Sequence, residues 1–157
     1  MDVAVFLGQA SLGITLSLAA LGSSLGVGAA GRAAAGAWGK AAKAGKPLNF
    51  TYIILVGMPV SQTIYAFVLM FVGLKAGIVG EAAVTATHAG TLFGIGLGAG
   101  ICEMISAWVQ GLIGAAACRA LSEGDGKGLI NMVIAMGMVE TVGLFGLVFM
   151  LLMVPTA

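Results

Sequence analysis

Apolar residues run through this chain in four long blocks rather than alternating with polar ones. The blocks cover approximately residues 3–38, 50–74, 82–121 and 129–154. About 20 apolar residues suffice to cross a bilayer as a helix, so each block predicts a transmembrane helix. The first and third are longer than a span requires and are expected to extend beyond the hydrocarbon. The breaks are KAAKAGKPLN, KAGIVGE and SEGDGKG, all rich in glycine and charge. The expectation is an all-α membrane protein of two fused helical hairpins, residues 1–78 and 79–157.

Charge then orients the hairpins. The first break holds Lys40, Lys43 and Lys46, and the third is flanked by Arg119 and Lys127. The second has only Lys75 against Glu81. The positive-inside rule places loops 40–47 and 122–128 in the cytoplasm of a multi-pass cell-membrane protein, with both termini outside. The start, Met1-Asp2, lacks a basic region, so it reads as part of the first span rather than a cleaved leader.

Composition agrees with the block pattern. Of 157 residues, 60% are hydrophobic and 8% charged, against roughly 25% charged in soluble domains. A net charge of +1 gives no reason to expect a nucleic-acid partner. Cys102 and Cys118 lie 16 residues apart on one expected helix, too far to pair with each other.

One carboxylate changes the picture. Glu140 stands alone in GLINMVIAMGMVETVGLFGLVFMLLMV. A charge at that depth costs about 2.5 to 3.5 kcal/mol on insertion scales, so an ion or proton site is the default reading. A shift of 78 residues places Met58 on Met136, Phe67 on Phe145, Leu69 on Leu147 and Phe71 on Phe149. It also places Gly22 on Gly100, Gly36 on Gly114, and Gln62 on Glu140. The chain thus reads as a duplicated hairpin with one ionisable site, in the second copy. The odd-numbered helices carry GSSLGVGAAGRAAAG and GTLFGIGLGAG. Small residues let backbones approach closely in lipid. Gly94, Gly96, Gly98 and Gly100 occupy several faces of one helix, which suits the crowded inner wall of a ring.

Other polar groups fall at a similar depth. Met58, Ser61, Gln62 and Tyr65 share one face of the second helix, beside Pro59, which should kink it. Gln110 lies in SAWVQGLIG on the third. Ser61, Gln62, Gln110 and Glu140 are all oxygen donors, and only one is charged. That set suits a hard monovalent cation, because Mg²⁺ or Ca²⁺ usually recruits more carboxylate. The competing reading for each neutral residue is a hydrogen bond between helices.

MPVSQTIYAF, Gln110, MVET and the glycine-rich GVGAAGRAAA together resemble the membrane-rotor proteolipid (the K- or c-subunit) of V-type and A-type ATPases. The resemblance covers nearly the whole chain. It implies a homo-oligomeric ring in membrane lipid, turned against a stator subunit that supplies an Arg, and joined to central-stalk subunits. By the same resemblance, Glu140 binds the coupling ion. In sodium-binding members the Na⁺ ligands would fall on the Met58 main-chain carbonyl, Ser61, Gln62, Gln110 and Glu140. Tyr65 would hydrogen-bond the carboxylate. H⁺ alone is the alternative ion. Ser61 stands where Thr is commoner. Arg32 stands where the family often has an acidic residue.

Glu103 also departs from the family pattern. It lies seven residues before Gln110, on nearly the same face, about 10 Å farther from the cytoplasm. Three roles are open for it: a second ion-path carboxylate, a partner for Arg32 of a neighbour, or a protonated structural residue. The chain has no GxxxxGK[ST] loop, so nucleotide chemistry is expected in a separate soluble head. The rival readings are a small dimeric cation-coupled transporter and a structural tetraspan.

Overall fold

The structure is a computed structural model that describes residues 2–79 and 82–155, excepting the side chains of 79 and 82–85. Glu81, the acidic residue expected in the second break, lies outside the described residues. Four helices are present among them: α1 (Val3–Lys43), α2 (Tyr52–Ile78), α3 (Ala82–Glu123) and α4 (Leu129–Leu152). All four are long and apolar enough to cross a membrane. No strand occurs among the described residues.

α1 and α3 have 41 and 42 residues. At 1.5 Å per residue each is roughly 60 Å long, about twice the hydrocarbon thickness. Both continue past the apolar blocks into charged sequence. α1 persists through Lys40 and Lys43, whose charges suit the negative end of a helix. It stops before Gly45, which takes φ +65, a value that costs glycine little. The turn between α3 and α4 uses Gly126 and Gly128 at φ +84 and +89.

α1 and α3 pack against each other along most of their length. The buried positions of α1 are Gly8, Ser11, Thr15, Ala19, Gly22, Ser23, Gly26, Ala30, Ala34 and Ala37. Their spacing of mostly three to four residues makes one stripe of small side chains. A Cβ on Gly22 would overlap the Met104 backbone, and one on Gly111 would overlap Gly26. These glycines are therefore required by the closeness of two backbones. Thr15 adds a hydrogen bond from its Oγ1 to the Gly96 carbonyl, at 2.9 Å.

α2 and α4 lie outside this pair. Only Met136 and Gly143 of α4 are buried within the chain. α2 is irregular where α4 is not. Pro59 sits in a 3₁₀ turn, Met58–Val60, and Leu69–Leu74 widens to a π-helical segment. Proline offers no N–H to the carbonyl four residues before it, here Leu55 O. That oxygen lies over Gly114, where an added Cβ would be 2.9 Å away.

The two hairpins repeat each other locally. Phe67 and Phe71 stack at 5.8 Å between ring centroids, with 16° between planes. Their counterparts under the 78-residue shift, Phe145 and Phe149, stack at 5.6 Å and 14°. The first and third breaks share one end of the molecule, where Lys46 Nζ meets Asp125 Oδ1 at 2.9 Å.

Candidate ion-binding site

Glu140 is half-buried on α4 and accepts hydrogen bonds on both carboxylate oxygens. Tyr65 on α2 donates its hydroxyl to Oε1 at 2.9 Å. Gln110 on α3 donates Nε2 to Oε2 at 3.2 Å. Two helices thus fix the carboxylate through different oxygens. Hydrogen bonds to a charged group contribute roughly 1.5–3 kcal/mol each, comparable to the insertion cost of the charge.

The partners are held in turn. Gln110 Nε2 also donates to the Met136 carbonyl at 3.1 Å, one helical turn before Glu140. Gln110 Oε1 accepts from Gln62 Nε2 at 3.2 Å. Gln62 Oε1 accepts from Ser61 Oγ at 3.1 Å. Ser61 Oγ also reaches the Met58 carbonyl at 2.9 Å, within the 3₁₀ turn that contains Pro59. Gln62 and Gln110 are fully buried, with no exposed surface. Burial makes an unpaired amide costly, which favours this bonded arrangement.

All six residues singled out from the sequence, Met58, Ser61, Gln62, Tyr65, Gln110 and Glu140, fall in this one connected network. It joins α2, α3 and α4. A seventh member, Ser106, is not among the sequence expectations. It accepts from Gln62 Nε2 at 3.1 Å and donates to the Val139 carbonyl at 2.9 Å. It sits one turn before Gln110, so helical spacing could have marked it. A serine in an apolar helix more often bonds back to its own helix, as Ser17 does to Gly13 here.

Chemically, the cluster gathers one carboxylate with hydroxyl, amide and main-chain oxygens. The neutral oxygens can replace water around a monovalent cation, while one carboxylate balances its charge. Arg32 lies elsewhere: it is exposed near Lys40 and Arg119, toward the end that carries the basic breaks.

Comparison with curated proteins finds no match. The sequence profile of the ATP synthase C-subunit, in contrast, matches twice, over residues 10–73 and 93–153. Each match covers one hairpin, and together they take in most of the chain. They identify the duplication independently of the aromatic pairs. This chain therefore belongs to the ATP synthase C-subunit family, as a fused, duplicated proteolipid that assembles into a ring and translocates ions in a membrane rotor.

Proposed function

We propose that this chain is the rotor subunit of a V- or A-type ATPase and that it carries one Na⁺ per subunit at Glu140. The observation that carries this reading is the company of Glu140. A single carboxylate is joined through Gln110 and Gln62 to a run of neutral oxygens ending at Ser61 and the Met58 carbonyl. A carboxylate that only picks up a proton needs no such set. Met58 O, Ser61, Gln62, Gln110 and Glu140 would hold the ion, and Tyr65 would steady the carboxylate.

With the cation bound, the site is neutral and can turn through lipid. A stator arginine would displace the ion as each subunit passes. Rotation would be passed through the central stalk to a soluble head that makes or hydrolyses ATP. The two basic breaks share one end, joined by Lys46 and Asp125, which supports placing both in the cytoplasm.

A proton-carrying rotor has one observation in its favour. The neutral oxygens already bond one another, so Na⁺ would have to exchange those bonds for its own. Transport by the reconstituted rotary complex separates the two. ATP-driven Na⁺ uptake that persists with a protonophore supports the Na⁺ rotor. Uptake that the protonophore abolishes, with ATP hydrolysis indifferent to Na⁺, contradicts it.

A further inference from the structure

The polar face of α3 continues beyond the network just described. Glu103 lies three residues before Ser106 and is 1% exposed. Both of its carboxylate oxygens are buried and lack a hydrogen-bond partner among the described residues. Such a group is unusual, because buried polar atoms are nearly always bonded.

The space around it is shaped by α4. A Cβ on Gly143 would stand 2.5 Å from Glu103 Oε2, and 3.2 Å from Ser106 Oγ. A Cβ on Gly146 would stand 3.6 Å from Glu103 Oε1. Two glycines one turn apart therefore leave a notch in α4, and the carboxylate fills it. The Ser106 hydroxyl donates once, to Val139 O, and accepts once, from Gln62. A hydroxyl oxygen can accept twice, so one lone pair remains beside the notch.

Among the described residues, no basic group balances Glu103 there. Its own helix places Cys102 next to it. α2 contributes Tyr65, whose hydroxyl is itself bonded to Glu140 of α4. α1 presents Leu18 and Gly22 to this stretch of α3. Among the described residues, the ionisable groups beside Glu103 are Cys102 and Tyr65, both acids. Arg32 of an adjacent copy cannot serve either, since Glu103 is enclosed by its own chain. An ionised carboxylate in this setting costs several kcal/mol and needs a cation from outside the polypeptide.

We propose that Glu103 is a second site for a monovalent cation, a proton or Na⁺, held between α3 and α4 with Ser106 as its neighbouring oxygen. Each rotor copy would then carry two cations. The second lies farther than the first from the end with the basic breaks. This proposal rests on reading Glu140 as the carboxylate of the transported ion.

Infrared difference spectroscopy of intact rings tests it. Glu140→Gln silences the main carboxylate, and jumps of pH and of Na⁺ are applied separately. The proposal predicts a carboxyl-to-carboxylate signal in Glu140→Gln rings that disappears when Glu103→Gln is added. A response to pH alone identifies a proton, and a response to Na⁺ at fixed pH identifies sodium. Identical spectra for the single and double variants under both jumps would overturn the proposal. Gly143→Ala is a second probe, because its methyl group intrudes on Oε2. It should shift the Glu103 signal, and an unshifted signal would place the carboxyl outside the notch. The Glu103→Gln single variant reports on Glu140 by itself, so a failure of the main-site reading shows there and nowhere else. Ring mass in each variant establishes assembly before the spectra are read.

Discussion

The two hairpins occupy equivalent places in the duplicated chain, yet they divide the work of the site. The 78-residue shift sets Gln62 against Glu140, and both lie in one bonded network. Gln62 is fully buried and neutral, whereas Glu140 is half-buried and ionisable. The first hairpin supplies Met58 O, Ser61, Gln62 and Tyr65 from an irregular helix broken by Pro59. The second supplies the charge from a continuous helix. The same shift sets Tyr65 against Gly143. One copy thus uses a phenol to hold Glu140, and the other leaves a notch that Glu103 enters. One copy supplies neutral groups and the other supplies the ionisable one.

Making the halves alike should have the largest effect. Glu140→Gln leaves glutamine in both copies and no carboxylate to neutralise a cation at the main site. Na⁺ uptake by the reconstituted complex should vanish, while the mass of the purified ring stays unchanged. Residual transport in that variant would show that the division of roles is wrong.

Cutting the link between halves should come next. Gln110→Ala removes a hydrogen bond to Glu140 and the acceptor for Gln62, and it leaves Met136 O without its side-chain donor. Loss of a bond to a charged group costs about 1.5–3 kcal/mol, or roughly ten- to hundredfold in Na⁺ affinity. Equilibrium Na⁺ binding to rings measures this, and an unchanged affinity removes Gln110 from the site.

Tyr65→Phe keeps the ring and deletes only the hydroxyl that holds Glu140 from the first hairpin. Because the half-buried carboxylate can take water instead, a smaller loss of about tenfold is expected, corresponding to about 1.4 kcal/mol. Faster exchange of bound Na⁺ should accompany it, and ion-release kinetics on rings would show whether it does.

The weakest link between hairpins is the exposed pair at the loop end. Lys46 beside Asp125 holds that carboxyl below the usual carboxylate range. A lowered folded value means the contribution is present above the unfolded value and fades as pH falls through the folded one. Asp125→Asn should therefore lower thermal stability slightly at neutral pH and lose its effect in acid. The exposed position and salt screening keep this small. Melting curves at two pH values check the sign.

Much of this was legible from hydropathy and spacing. Apolar run length locates the spans because a bilayer demands about 20 such residues. A lone carboxylate in one of those runs draws attention by its cost. Gln62 and Gln110 follow from helical spacing and depth. Helix ends were less legible, because lipid contact sets the apolar block while the backbone sets the helix. α1 and α3 run on into Lys43 and Glu123, past the blocks ending near 38 and 121. The π-helical stretch Leu69–Leu74 has no marker in its residues. Ser106 and the Gly143 notch depend on which face of α3 meets α4, and such pairing between helices is not written in either helix alone.

Carbodiimide modification of Glu140 in intact rings tests the central claim most directly. The reagent attacks the protonated carboxyl, so a bound Na⁺ that keeps Glu140 deprotonated should protect it. At fixed pH, added Na⁺ is predicted to slow the reaction in a saturable way. A rate set by pH alone and indifferent to Na⁺ would contradict the sodium site.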